Sequence, residues 1–370
     1  MEFDFYVCLA ALAKVFAYDC AAGRRLLAAV GDVRMLFSLS VKDVAGIMGG
    51  GESYADMLLD PGTLRWAESE VKWALSKGVR IIGMDDPAYP YRLKECPDAP
   101  IVLYCSGSAD LNPVHSLAVV GTRKATYSGT GNCRKIVGAL AQTVPDTLVV
   151  SGLALGIDGV AHRSALENGL PTAAVLPCGL DEIYPARHRE LAERIVENGV
   201  LVTDFCRQSA PVRTNFLRRN RIIAGMADAV LVVESFSKGG SLMTASLANS
   251  YSREVFAVPG RLEDESFVGC NRLIESDMAR IVASPDSLGT SLGWSRRSKG
   301  GGFRSLFSSV EDGSDADLLL SSLRKRSPAS VEELVNMTGL APSAAAAELT
   351  ALEMSGIVVA VPGGKFALAG

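Results

Sequence analysis

The chain has 370 residues and a mass of 39.0 kDa, enough for two or three domains of about 150 residues each. With 48% hydrophobic residues and a net charge of −4, it can bury more than one core, which excludes a disordered chain and argues against a generally basic nucleic-acid coat protein. No apolar run reaches about 18 residues, so no membrane-spanning helix is expected.

The N-terminus carries Glu2 and Asp4 and no basic residue before Lys14, unlike the basic start of a signal peptide, so a cytoplasmic location is expected. The eight cysteines include no Cys-x-x-Cys pair and mostly sit in apolar stretches, and only His115, His162 and His188 could join them. No zinc or other metal site is expected.

Residues 1–78 read as a helical module. Apolar residues recur at helical spacing through Val7, Leu9, Leu12, Val15 and Phe16, again through Leu36, Leu39, Val44 and Ile47, and through Leu64, Trp66 and Val71. Ser40 is placed to cap one helix and Gly49–Gly51 to break it.

From 79 to 290 the pattern becomes α/β. Short β-branched runs at 117–120, 148–150, 172–176, 200–203, 229–233, 254–258 and 279–282 alternate with helical stretches near 128–143, 157–168, 187–198, 215–226, 241–252 and 270–277. Strands apolar throughout and spaced by helices predict a parallel sheet covered on both faces, with its ligand at the carboxyl ends of the strands. Residues 291–312 are Gly- and Ser-rich and read as a flexible linker. Residues 313–370 give three short helices and a hairpin around Pro362-Gly363-Gly364, the pattern of a winged helix.

Four strand ends offer chemistry. Gly121-Thr122-Arg123-Lys124 follows the first strand of the repeating unit with a flexible turn, a hydroxyl and two cations. Ser151-Gly152-Leu153-Ala154-Leu155-Gly156-Ile157-Asp158 follows the second and opens a helix whose amides can meet a phosphate. Within that helix Asp158 and His162 are four residues apart; the plain expectation is that Asp158 helps cap the helix and His162 packs nearby, the alternative an acid/base couple.

The third strand end is the richest in charge. Residues 205–227 contain Arg207, Arg213, Arg218, Arg219 and Arg221 and no acid. On a helical wheel Arg219 falls within the apolar arc of Phe216, Ile222, Ile223 and Met226, so it must be paired, with Asp204 or Glu234, or must reach an anion. Arg218 and Arg221 lie on the flank of that arc and are expected to face phosphates; Asn220 lies among them. The fourth loop, Glu234 to Ser241, brings Lys238, Gly239, Gly240 and Ser241 to a helix start. No dinucleotide fingerprint or P-loop motif occurs, so no cofactor is expected.

These residues, taken together, resemble the DNA-processing protein A family (DprA, also called Smf). The resemblance rests on Val120–Arg123, Ser151–Asp158 with His162, Pro177-Cys-Gly-Leu-Asp181 with Tyr184-Pro185, Phe216–Gly225, Gly240–Ala245, and Val258-Pro-Gly260 with Gly269, Asn271, Leu273 and Ile274. It also takes in Asp86–Pro90 and Leu103-Tyr104, so it runs in order over roughly 85–280. It implies an extended Rossmann-like domain that binds single-stranded DNA as a homodimer, protects incoming strands and helps load the RecA recombinase during natural transformation. By position, Arg123, Lys238 and the run Arg219-Asn220-Arg221 match the family's basic sites. Leu217 stands where a proline is frequent, and Gly240 where Ser-Gly-Ser is usual; neither change removes an amide or a cation.

The helix at 343–354, in the recognition position of the winged helix, holds no Lys or Arg and is not expected to read duplex DNA. The leading expectation is thus a non-catalytic single-strand binder, with phosphates on the loop amides and cations and bases stacked on Tyr127 or Phe236. The rivals are a nucleotide hydrolase working through Asp158 and His162, and an adaptor acting only through its end modules.

Overall fold

A computed structural model of the chain describes residues 2–294, 314–354, 357–361 and 364–368. They belong to two compact units, 1–295 and 296–370. The linker expected at 291–312 lies, from 295 onward, outside the described residues.

The first unit begins with six helices: α1 (Glu2–Val15), α2 (Cys20–Val30), α3 (Val33–Leu36), α4 (Val41–Met48), α5 (Glu52–Leu59) and α6 (Pro61–Ser76). Ser40 does start α4: its hydroxyl accepts the Asp43 amide while the Asp43 carboxylate accepts the Ser40 amide. Gly49, with φ of +75°, ends the helix in a left-handed turn.

There follow β1 (Arg80–Gly83), α7 (Tyr91–Lys94), β2 (Val102–Gly107), β3 (Ser116–Val120), α8 (Tyr127–Thr143), β4 (Leu148–Ser151), α9 (Ile157–Glu167) and β5 (Thr172–Val175). The unit continues with α10 (Arg189–Asn198), β6 (Val200–Thr203), α11 (Arg213–Gly225), β7 (Ala229–Val232), α12 (Gly240–Ser250), β8 (Glu254–Ala257), α13 (Val268–Glu275), β9 (Arg280–Ile281) and α14 (Ser287–Ser291).

The strands form one nine-stranded sheet in the order β1-β2-β6-β5-β4-β3-β7-β8-β9. From β6 to β9 all neighbours are parallel, as expected from the sequence. The sheet does not stop there: β2 pairs antiparallel with β6, and β1 antiparallel with β2. Alternation along the strands divides the cores. Ala173 and Val175 feed the main core while Ala174 and Leu176 feed a second one behind the sheet with α10, so the central strands are buried on both faces.

The antiparallel pair works the same way. Ile82, Leu103 and Cys105 join the main core, whereas Ile81, Val102 and Tyr104 join Leu9, Leu12, Phe16 and Leu26 of the helical module. The module's apolar faces therefore close against β1 and β2.

The second unit contains α15 (Asp315–Lys325), β10 (Ala329–Ser330), α16 (Val331–Thr338), α17 (Pro342–Met354), β11 (Val358–Val361) and β12 (Lys365–Leu368). Its sheet runs β10-β12-β11, wholly antiparallel. Leu319, Leu323, Leu334, Leu349 and Leu352 fill its core. This is the winged-helix arrangement read from the sequence, with β10 added.

Candidate nucleic-acid interface

In this sheet the chain runs outward from β3 through β4, β5 and β6, then returns to the other side of β3 with β7. The two loops that leave β3 and β7 therefore diverge, and a crevice opens between them at the carboxyl ends, where such folds bind ligands. The main cleft, about 820 Å³, lies there. The Thr122 amide donates to the Glu234 carbonyl at 2.8 Å and the Ile157 amide to the Thr122 carbonyl at 3.1 Å, tying the three strand-end loops together. Gly156 (φ +78°) permits this: a Cβ there would lie 2.2 Å from the Thr122 oxygen.

Gly121, Thr122, Arg123, Arg219, Asn220, Lys238, Gly239, Gly240 and Ser241, all expected from the sequence, line the cleft. Arg123 lays its guanidinium over the Phe216 ring at 4.7 Å. Ser241 shares a hydrogen bond of 2.9 Å with Ser235, and the Asn220 amide nitrogen donates to the Gly240 carbonyl at 3.3 Å, which fixes the start of α12 against α11. Among the described residues neither Arg123 nor Lys238 has a carboxylate within ion-pair distance. Both stand exposed, ready for an anion.

Helix α11 presents Arg213, Phe216, Leu217 and Asn220 to the cleft, the i, i+3, i+4, i+7 stripe of one helix face. Arg213, exposed and likewise without a carboxylate partner among the described residues, is a cleft cation that the sequence reading passed over. Its signal was there: it heads the same stripe as Phe216 and Asn220.

Arg219 is 3% exposed and forms the cleft floor. Its Nη1 donates to the Gly152 carbonyl at 2.5 Å and to the Val175 carbonyl. Burial lowers its pKa to about 10, opposed by the Asp158 carboxylate, so it stays charged at neutral pH. Burial in turn raises Asp158, with Arg219 acting against the rise. Neither Asp204 nor Glu234 is the partner: the Glu234 carboxylate is fully buried and accepts the Thr126 amide at 3.0 Å at the start of α8.

Five expected residues are not brought to the cleft. Arg218 and Arg221 turn the other way, both to Asp204 at the end of β6, at 3.0 and 2.5 Å. Arg218 also lies over the rings of Tyr18 and Phe205, and Arg221 donates to the Asp98 carbonyl. The flank on which the wheel placed them faces the helical module, and a buried guanidinium takes the nearest carboxylate. The Ser151 hydroxyl is spent inside the sheet on the Val119 carbonyl at 2.6 Å, and the Gly152 carbonyl on Arg219. Lys124 is exposed beside the first loop but does not line the cleft.

The acid/base couple is not assembled. Asp158 lines the cleft and accepts the Ala154 amide at 3.4 Å. His162 is fully buried with Nδ1 2.7 Å from the Thr172 hydroxyl, and burial pushes its pKa down to about 3. Among the described residues no cluster of side chains is suited to a metal ion, and no helix is long and apolar enough to cross a membrane.

A doubly wound sheet with a cation-lined cleft at its switch point, followed by a winged-helix unit, defines a Rossmann-like α/β protein with an added winged helix. A family model described as DNA recombination-mediator protein A matches residues 80–293, and a second, for the DprA winged-helix domain, matches 308–364. The chain belongs to the DNA recombination-mediator protein A (DprA/Smf) family.

It is 41% identical over 221 residues to Protein Smf of Synechocystis, covering 59% of this chain and 55% of that protein. The match thus spans about half of the cyanobacterial relative. It is 34% identical over 311 residues to a putative DNA processing protein DprA of Mycobacterium tuberculosis, covering 79% and 77% of the two chains. Its fold is similar to the X-ray structure of DprA from Streptococcus pneumoniae (TM-score 0.65, 29% identity, 80% of this chain and 98% of that one). It is also similar to a DprA of Helicobacter pylori whose single-stranded DNA binding mode has been described (TM-score 0.53, 29% identity, 59% and 97%).

Proposed function

We propose that this chain binds single-stranded DNA without catalysis, protecting incoming strands as a homodimer and helping to load RecA recombinase in the cytoplasm. The observation that carries the binding step is the cleft itself: Arg123, Arg213 and Lys238, free of carboxylates among the described residues, surround loops of backbone amides at one switch point. Phosphates would rest on Gly121, Thr122 and the Gly239–Ser241 turn. Arg219 supports them from below as a fixed positive charge, and Asn220 ties the start of α12 to α11. The described H. pylori relative supports this choice of ligand. A nucleotide hydrolase is the weaker reading because His162 is buried away from the cleft.

The test is binding of a labelled oligo-dT by the full chain at several salt concentrations. Each phosphate contact on a single strand contributes about −0.7 to the slope of log K against log salt. Arg123→Ala and Lys238→Glu should each weaken binding and flatten that slope. Unchanged slopes in both variants refute the assignment.

A further inference from the structure

Around the cleft, apolar side chains stand beside the exposed cations. Phe236, 37% exposed on the β7 loop, and Leu217 and Met243, exposed on α11 and α12, line it; Tyr184, 37% exposed on the loop that follows β5, stands just outside it against the lining residue Phe216. Exposed aromatic rings cost solvation unless something flat covers them, and a rim of them around cations marks a ligand with both charges and apolar faces.

Tyr184, named above only as part of the resemblance, gains a candidate role from its neighbours. Its ring meets the Phe216 ring edge to face, centroids 5.4 Å apart at 72°. Phe216 in turn lies under the Arg123 guanidinium at 4.7 Å. Tyr184, Phe216 and Arg123 thus form a continuous row from the outer rim to the phosphate-facing cation. The contact with Phe216 leaves more than a third of Tyr184 open.

We propose that Tyr184 is a base-stacking residue: the nucleobase next to a phosphate held by Arg123 lies on its ring, opposite the base that Phe236 receives across the cleft. This rests on the strand-binding reading above and adds to it a second stacking platform. A strand crossing the cleft would then place phosphates over the central cations and bases outward on both sides, a use of the rim that a single free nucleotide cannot make.

The experiment compares oligo-dT with an abasic sugar–phosphate oligomer of the same length, both labelled, on the full chain at low salt. Stacking on one aromatic ring is worth roughly a five- to hundred-fold change in affinity. Tyr184→Ala should lose that much on oligo-dT and nothing on the abasic strand, and Tyr184→Phe should bind both like the wild type. Equal loss on both strands overturns the proposal, since the ring then only props Phe216 and Arg123; no loss on either overturns it as well. Arg123→Ala and Lys238→Glu separate the two readings: they should weaken both strands. If they weaken neither, the strand-binding reading itself fails, whatever Tyr184 does.

Discussion

Helix α11 carries arginines 213, 218, 219 and 221 on two sides, and the two sides behave differently. Toward the cleft, Arg213 is exposed and without a carboxylate partner among the described residues. Toward the helical module, Arg218 and Arg221 share Asp204 and are half-buried or buried among Tyr18, Phe205 and Asp98. One residue type therefore serves as ligand contact on one flank and as structural tie on the other. What separates them is a single carboxylate at the end of β6. Helix α9 repeats the lesson within one turn, where Asp158 reaches the cleft and His162 lies beneath the sheet.

The sharpest way to break this division is to remove the carboxylate. Asp204 is 2% exposed at its side chain, so Asp204→Ala leaves Arg221 buried without its counter-charge. Loss of one member of a buried pair costs about 3–5 kcal/mol. Urea unfolding should show a loss of that size, while the folded variant keeps its salt-dependent affinity for oligo-dT. A variant as stable as the wild type would mean that the module-facing flank is not a structural tie.

His162 extends the test to α9. Its pKa is lowered from an unfolded value of about 6.5 to about 3. The unfolded chain therefore binds the extra proton first. Stability from this group is present above about pH 6.5 and drains away as pH falls toward 3, at up to about 1.4 kcal/mol per pH unit. Unfolding free energies measured from pH 7 to 4 should fall less steeply in His162→Gln by this amount. Identical pH slopes would place His162 in contact with water.

Gly152 sharpens the cleft side. A Cβ there would lie 2.3 Å from the Arg219 guanidinium, forcing the cleft floor to move. Gly152→Ala should cost about 1–3 kcal/mol by overpacking and weaken oligo-dT binding along with it. Full stability with full binding would show that Arg219 has room to move without consequence.

Much of this was legible in the sequence. The runs ending at Val120, Val150, Thr203 and Val233 announced their strands because buried parallel strands are apolar throughout, and the clustering of Gly and Ser with Arg123 and Lys238 in the loops after them pointed to the strand ends where the cleft lies. The antiparallel pair β1–β2 was not legible. Its residues serve two cores by alternation, one of them shared with the helical module. Nor was the fate of Arg218 and Arg221. A helical wheel gives angles about one axis, and which flank meets Asp204 depends on how β6, the module and α11 come together. Tyr184 could be named only through the resemblance: what its ring touches depends on how the β5 loop meets Phe216 on α11.

The smallest effect is the most direct reading of the two flanks. Arg213→Ala removes one unpaired cleft cation, so the slope of log K against log salt for oligo-dT should drop by about 0.7, with modest loss of affinity at low salt. Arg218→Ala removes a charge that is turned away from the cleft and shares Asp204 with Arg221, so its slope should match the wild type even where its stability falls a little. The pair is informative because the substitutions are chemically identical and five residues apart on one helix. Equal slope changes in both would mean that the strand runs over both flanks of α11, and that Asp204 yields its arginines to phosphate when DNA is present.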